Sequence, residues 1–486
     1  MPVIARSVRG LCEREALPMV VIAMWVALLT LELPALFGPD SWLSLVGGRY
    51  VAEHGLPHVD HLNTWTLGHT WVDQQWGGQL VLYEAAHFGG VRAALLVGVA
   101  CVAAALILAT VAARLLGASA RSAAIGAALP LLGAPWFAQV RTQSLVVPLF
   151  VALYALLAFD SRRPSRRILW ALPLLLVWAN LHGSVALGAG LVVLYALLLA
   201  RRPDARLRAA VLVVCAPLTL VASPYGFKLV GYYHLMLLHP PLAKYVTEWQ
   251  PAAVRAETVF FFITAISGVA LWGAHRKRLT PFERWATILL LVAAFAAIRN
   301  AVWFEFALAI AFPRLLDGAW PSRIQLTDGV KKVNIAIAGL AAAGVVAALV
   351  AQGTHPASWI QHGRTPAAAA AVAAAAGPHG IVIADEVDSD WLLWEQPSLA
   401  GRIAYDVRFE LLNAHQLKQI DLLDGVSGSM WRRCASGARV ITFPGKQFLR
   451  VARREQVLAP GSRVVARTAT FIAVRQPATG RPFCTL

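Results

Sequence analysis

Residues 17–42 read LPMVVIAMWVALLTLELPALFGPDSW. The apolar run from Leu17 to Phe37 is long enough to cross a bilayer as a helix. No small-residue cleavage site follows it, so we expect it to remain as a first span rather than to be removed as a signal peptide. After Asp40 a polar segment rich in Trp, His and Asp continues to Trp76. Loops of that length and chemistry more often form sites than merely connect helices.

The rest of the chain is also apolar, with 58% hydrophobic and 14% charged residues among 486. Soluble domains carry roughly 25% charged residues, so we predict a polytopic, mostly α-helical membrane protein. About eleven spans of the usual length are expected, over 17–37, 91–114, 120–138, 143–160, 167–180, 183–200, 208–223, 256–274, 284–299, 300–317 and 333–352.

The net charge of +17 comes mainly from Arg and Lys in alternate junctions between apolar runs. This asymmetry indicates membrane orientation rather than nucleic-acid binding. It predicts a cytoplasmic N terminus and an extracytoplasmic C-terminal part. The many Ala, Leu, Val and Arg residues suggest a bacterial genome, so we expect a multi-pass protein of a bacterial cytoplasmic membrane. A membrane domain, 1–352, would then present two large loops on the outer face, one over 38–90 and a lid-like one over 223–255.

The tail differs in composition from the spans. An Ala-rich stretch within 353–376 is predicted as a linker, and 377–486 contains strand-like runs separated by helical patterns. This alternation predicts a small extracytoplasmic α/β domain. Its two cysteines, Cys434 and Cys484, are expected to pair in an oxidising compartment. Five acids follow the strand-like runs and are interpreted either as solvated helix caps or as ligand-binding residues: Asp385, Asp388, Asp390, Asp406 and Glu410.

Asp40 is the first candidate for chemistry. Pro39-Asp40-Ser41 after a span is a good helix-cap signal. Acids close to lipid are costly and usually functional, and a carboxylate at the membrane surface could deprotonate an acceptor hydroxyl. Both interpretations stay open.

Three groups lie at the predicted outer ends of different spans: Arg141, His182 and Arg299. Arginines at an interface often only extend towards water. If these three converge, they suit a phosphate or pyrophosphate, because Arg binds phosphate oxygens in a bidentate fashion. A pairing of Arg299 with Glu305 is the competing structural explanation.

Aromatic and His residues fill the first outer loop. Trp42, Trp65, Trp71 and Trp76 fit an interfacial belt, and such rings also stack on sugars. The run His54, His58, Asp60 and His61 suggests metal ligands, but it fits no standard zinc spacing, and Asp60 could instead organise the loop. The candidate substrate-binding residues are Trp42, His58, Asp60, Trp76 and, at the end of the lid-like loop, Lys244 and Glu248.

This pattern resembles the GT-C superfamily of polytopic glycosyltransferases. The matching elements are the acid after the first span in Pro39-Asp40-Ser41-Trp42, a long outer loop with Gly55-Leu-Pro-His-Val-Asp60, Arg141, Trp178-Ala-Asn-Leu-His182-Gly183 and an outer C-terminal domain.

The resemblance implies transfer of a sugar, hexosyl or pentosyl, from a polyprenyl-phosphate donor to a hydroxyl of a glycan, lipid or protein acceptor, with inversion. It makes Asp40 the catalytic base, and Arg141, His182 and Arg299 the donor-phosphate ligands. The predicted second outer loop, 135–143, contains no Asp or Glu, so we expect no obligate cofactor or metal, although the His54–His61 run leaves a divalent ion open.

Two other classes compete with this hypothesis. A transporter or flippase for lipid-linked saccharides would carry charged residues near the bilayer midplane and internal repeats. Here the polar groups gather instead at outer helix ends. A non-catalytic assembly protein for envelope glycan synthesis would tolerate the loss of Asp40.

Overall fold

The computed structural model describes residues 2–238, 241–321, 326–424, 434–478, 480, 483 and 484. The chain is mostly helical and divides into two compact units. Unit 1 comprises 1–36, 95–226 and 248–355, and unit 2 comprises 37–94, 227–247 and 356–486.

Helices account for nearly all regular structure before residue 355. They are α1 (Pro2–Leu31), α2 (Pro39–His54), α3 (Trp76–Leu115), α4 (Ala120–Gly133), α5 (Thr142–Asp160), α6 (Ala171–Ala179), α7 (Val185–Leu199), α8 (Arg206–Leu218), α9 (Lys228–Leu238), α10 (Val259–His275), α11 (Pro281–Ala296), α12 (Ala301–Ala319) and α13 (Asp328–Thr354). The helices α14 (Ala357–Ile360), α15 (Pro366–Ala376), α16 (Glu386–Glu395), α17 (Ala414–Asp424) and α18 (Lys446–Arg454) follow.

A helix coincides with each predicted span, and the chain is a multi-pass membrane protein. Among the residues that the structure describes, five helical segments are long and apolar enough to cross a bilayer by length and composition: 8–31, 76–115, 142–160, 259–278 and 328–354. On α13 the side chains of Leu340, Val346 and Val350 are 59–72% exposed. Large apolar side chains exposed along a membrane helix are suited to lipid rather than to water. The total of about eleven spans stays a prediction.

Close helix contacts in unit 1 depend on small residues. Helix α1 packs against α13 and α4, and α4 packs against α12. A Cβ atom at Gly126 would come within 2.6 Å of Pro313 and 2.8 Å of the Ala309 carbonyl. The absence of a side chain at Gly126 therefore permits the close approach of α4 to α12.

The two predicted loops contain more helix than expected. Within 38–90, α2 occupies the first part and α3 begins at Trp76. Helix α3 is interrupted at Gly89 and at Gly90, whose positive φ of 70° suits glycine. Within the lid-like loop 223–255, α9 and short 3₁₀ turns at Pro241–Lys244 and Thr247–Trp249 are formed. Helix α9 lies in the loop where the sequence suggests an amphipathic or re-entrant helix, whereas α2 was missed as an element because its 16 residues are too short and too polar for a span.

Unit 2 contains a mixed four-stranded sheet. Its strands are β1 (Val382–Ile383), β2 (Val440–Phe443), β3 (Arg463–Arg467) and β4 (Ile472–Arg475), in the order β1-β2-β4-β3. Only β1 and β2 are parallel; β4 runs antiparallel to both β2 and β3.

The sheet differs from the predicted strands at two places. The run 462–474 folds as two strands rather than one, because the chain turns between Arg467 and Ile472. The run 402–406 forms no strand of its own. Its Ile403 makes isolated bridges to Val382 and to Asn63 of the first loop.

The stretch predicted as a linker belongs to unit 2. Alanine favours helix, and Thr365 caps α15, whose Ala369 and Val372 are fully buried. Helix α15 packs on β3 and β4. Cys434 and Cys484 form a disulfide, as predicted.

Candidate donor site and the carboxylates around Asp40

The candidate phosphate ligands all lie at helix N-termini in unit 1. Arg141 is the N-cap residue of α5, His182 lies in the turn before α7, and Arg299 lies in the 3₁₀ turn that leads into α12. The first amides of a helix have no intrahelical acceptor, and the helix dipole makes that end positive. Each of the three residues is therefore held where the backbone itself favours an anion.

The electrostatic interactions among these three residues show that they lie close together in one cluster. His182 is in the turn outside the helices, where burial, and then the positive charges of Arg299 and Arg141, lower its pKa to about 3. The Ser184 amide donates a hydrogen bond to His182 Nδ1 at 3.1 Å. The neutral imidazole consequently carries its proton on Nε2 and can donate a hydrogen bond from there.

Glu248 and Trp249 complete this group, which we call the arginine cluster (Arg141, His182, Glu248, Trp249 and Arg299). Arg141 Nη1 lies 3.3 Å from Glu248 Oε1 and 3.2 Å from Oε2. The guanidinium of Arg299 stacks on the Trp249 ring, 4.0 Å from its centroid. Burial raises the pKa of Glu248, but the charges of Arg141 and Arg299 outweigh it and hold the pKa below its ordinary value.

Glu305 is not the partner suggested for Arg299. It is fully buried, and Oε1 accepts a hydrogen bond from the Thr264 hydroxyl of α10. An added Cβ at Gly133 would come within 2.2 Å of Glu305 Oε1. Glu305 thus lies where α4, α10 and α12 meet, and Arg299 is engaged by Trp249 instead.

Asp40 occupies the first turn of α2 in unit 2 but is not its cap. Gly38 is the N-cap residue, and its amide donates to Ser41 Oγ at 3.0 Å. Helix α2 packs against α16, where Arg49 donates to the carbonyls of Leu393 and Trp394 at 2.5 and 2.8 Å. The capping role predicted for Asp40 therefore falls to Ser41.

Three further acids are electrostatically coupled to Asp40, and we call the four the carboxylate cluster (Asp40, Glu386, Asp390 and Glu410). Burial is the main cause that raises the pKa of all three partners, and the negative charge of Asp40 adds to it. The pKa of Glu410 rises to about 7. A carboxyl with a pKa near neutrality can hold or release a proton under physiological conditions.

Asp60 has a structural role in place of the predicted substrate contact. It is fully buried, and its carboxylate accepts from Arg408 at 2.8 Å, from the Thr66 hydroxyl at 2.5 Å and from the Leu62 amide at 3.0 Å. Arg408 also binds Asp406 at 2.7 Å and stacks on Trp71 at 4.3 Å. Asp60 joins the first loop to the C-terminal segment, as its alternative interpretation suggested.

The tryptophans of the first loop do not form an interfacial belt. Trp42, Trp65 and Trp71 are 1–7% exposed within unit 2. Trp65 stacks on Tyr405 with ring centroids 5.4 Å apart, and its Nε1 donates to the Cys484 carbonyl. Trp42 packs against Phe37 and presents no open face to a sugar.

The remaining predicted contacts are more accessible. His58 and Lys244 are exposed, and Lys244 lies 5.5 Å from the Tyr245 ring centroid. Trp76 is partly exposed, although its Nε1 is buried without a hydrogen-bond partner. These three residues remain candidates for substrate contact.

Sequence reasoning missed Glu386 of the carboxylate cluster and Trp249 of the arginine cluster, whereas Asp390 and Glu410 were among the five acids singled out after strand-like runs. The acids Asp388, Asp390 and Asp406 are buried rather than solvated caps, whereas Asp385 does cap α16. Their positions after strand-like runs were the available signal. In the described part of the chain, no three His, Cys, Asp or Glu side chains are arranged to hold a metal ion.

No protein-family model and no curated protein matches the chain. Solved structures do. ArnT from Cupriavidus metallidurans is 16% identical in both its apo state and its complex with undecaprenyl phosphate, with TM-scores of 0.55 and 0.53. Each match covers 95% of this chain and 98% of that one.

A third similar structure is the archaeal oligosaccharyltransferase AglB from Archaeoglobus fulgidus, in complex with an inhibitory peptide and a dolichol-phosphate. It is 12% identical with a TM-score of 0.50, over 87% of this chain and 69% of that one. At these identities the similarity concerns the fold, and this shared fold agrees with the one that the resemblance to the GT-C superfamily implies.

Proposed function

We propose that this protein is a membrane glycosyltransferase that moves a sugar from a polyprenyl-phosphate donor to a hydroxyl acceptor. The observation that carries the proposal is the arginine cluster, in which two arginines and a neutral imidazole lie at three helix N-termini. Two structures with this fold hold a polyprenyl phosphate, undecaprenyl phosphate in one and dolichol-phosphate in the other.

In the proposed reaction, Arg141 and Arg299 bind the donor phosphate. As the bond between the sugar C1 and the phosphate oxygen breaks, the phosphate keeps the electron pair. The fixed positive charges of the two guanidinium groups and the N–H of His182 stabilise the charge that develops there. In many enzymes, stabilisation of developing charge by such fixed groups is the largest single contribution to the rate enhancement.

Asp40 is proposed as the general base. It takes the proton of the acceptor hydroxyl while the acceptor oxygen forms its bond to C1, so the configuration at C1 inverts. The carboxylates of Glu386, Asp390 and Glu410 near Asp40 disfavour additional negative charge. This environment suits a neutral acceptor hydroxyl better than an anionic one.

We propose that the transfer faces the extracytoplasmic side and needs no metal ion. The orientation rests on the Arg and Lys bias of the junctions, and metal independence rests on the lack of Asp and Glu in 135–143. Activity that survives extensive treatment with a chelator is the expected result.

The test is a transfer assay in liposomes with undecaprenyl-phosphate hexoses and pentoses as donors. Loss of a general base lowers rates by roughly 10²–10⁴-fold, so D40N should be nearly inactive. E53Q removes an exposed carboxylate from the other end of α2 and should retain activity. Full activity in D40N would disprove the role of Asp40. Translocation of the lipid without any transfer would favour a transporter.

A further inference from the structure

The arginine cluster contains its own anion. Both oxygens of Glu248 lie within 3.3 Å of Arg141 Nη1, and the side chains are 30% and 9% exposed. Both carboxylate oxygens therefore share one nitrogen of the guanidinium, a group that also binds phosphate oxygens. A carboxylate at this position must compete with any phosphate that binds Arg141.

The charges of the cluster can be counted at neutral pH. Arg141 and Arg299 are positive, and His182 is neutral because burial and the two arginines lower its pKa to about 3. Glu248 is ionised because the arginine charges overcome the effect of its burial on its pKa. The net charge of the four side chains is thus one positive charge.

We propose that Glu248 acts as an internal competitor for the lipid phosphate, releasing Arg141 when the donor binds and recapturing it to expel the product. This inference rests on the proposed function, since it assigns the donor phosphate to Arg141. It adds a residue that sets the balance between substrate binding and product release.

The chemistry of the reaction explains why such a residue is useful. The donor is a phosphodiester with one negative charge. When its bond to C1 breaks, the phosphate keeps the electron pair and becomes a monoester, whose second pKa is near 6 as in phosphoserine. At neutral pH the product therefore carries nearly two negative charges and binds two arginines more tightly than the donor does. Because Glu248 competes with both phosphates for Arg141, it also lowers the affinity of the product and speeds its release.

The experiment measures binding of undecaprenyl phosphate to the full-length protein in nanodiscs. Removing a competing, partly buried carboxylate should tighten binding about five- to tenfold in E248Q. R141A should weaken binding by about tenfold or more. In the R141A background, adding E248Q should change the affinity less than E248Q does alone, because the contact with Arg141 is already absent and only the charge of Arg299 remains.

A matched control separates this contact from the general loss of negative charge. E257Q removes an exposed acid only nine positions along the same loop and should leave binding within about twofold of wild type. If the melting temperature of E248Q is below that of wild type, E248D serves instead. Its affinity should lie between that of wild type and that of E248Q, once the change seen in E257Q has been subtracted.

Kinetics give a readout that a purely structural role would not change. Tight product binding should lower kcat and KM together in E248Q, each about five- to tenfold, leaving kcat/KM within about twofold. A raised KM with unchanged kcat would overturn the inference.

The outcomes also distinguish this inference from the proposed function. If R141A and R299A bind undecaprenyl phosphate as wild type does, the donor assignment is wrong and the inference fails with it. If R141A weakens binding but E248Q leaves it unchanged or weaker, the donor site stands and Glu248 is only a structural partner of Arg141.

Discussion

Replacement of Arg408 by Met should strongly destabilise unit 2. The guanidinium binds Asp60 at 2.8 Å and Asp406 at 2.7 Å, and it stacks on Trp71 at 4.3 Å. All three charged side chains are at most 1% exposed. Met fills a similar volume, so the variant removes the charge while creating only a small cavity.

The magnitude follows from the two carboxylates left behind. Breaking a buried ion pair by removing one partner costs about 3–5 kcal/mol, because the other charge stays buried without compensation. Loss of the desolvated cation–π contact adds about 2 kcal/mol. A domain of this size loses roughly 2–4 °C of melting temperature per kcal/mol, so R408M should unfold at least about 10 °C below wild type.

The assay is thermal unfolding of the full-length protein in detergent, followed by the fluorescence of its 17 tryptophans, among them the buried Trp65 and Trp71 of this unit. R467M is the matched control, because Arg467 is exposed on β3 and surface substitutions usually stay within about 0.5 kcal/mol. If R408M melts within 2 °C of R467M, the ion network contributes little and the reasoning is refuted.

Two further predictions concern the same unit. Burial raises the pKa of both Asp73 and Asp388 to about 7. The folded state therefore binds protons more tightly than the unfolded state. The free energy of unfolding should consequently fall as the pH rises from about 4 through 7. A melting temperature that is higher at pH 8 than at pH 5.5 would contradict this. Cys434 and Cys484 close a loop with a sequence separation of 50, so a double Ser variant should lose about 2–4 kcal/mol, and a melting temperature equal to that of the non-reduced wild type would show otherwise.

The proposed donor site could be predicted further than most of the molecule. Arg141, His182 and Arg299 each follow a break between apolar runs, so their location at helix ends was visible from the sequence, and the structure brings them together. The partners Glu248 and Trp249 were harder to assign, because they come from a long polar loop without periodicity. Glu248 was identified only as a general substrate contact, and Trp249 was missed.

The first loop shows the opposite outcome. Its many Trp, His and Asp residues suggested sugar binding and an aromatic belt, yet Trp42, Trp65 and Asp60 are buried in unit 2. Composition alone cannot distinguish an aromatic side chain that awaits a ligand from one that packs in a core. The alternative that Asp60 organises the loop describes it correctly.

The sequence by itself determined where the apolar helices lie along the chain, and it indicated the fold. Hydropathy is a property of about twenty consecutive residues, and the cost of placing polar groups in lipid is high enough to decide each helix locally. Only the tertiary structure decided the ionic partners. Arg141 meets Glu248 over a separation of 107 residues, and Asp60 meets Arg408 from another part of the chain. Such pairs depend on packing between distant segments, which no local pattern records.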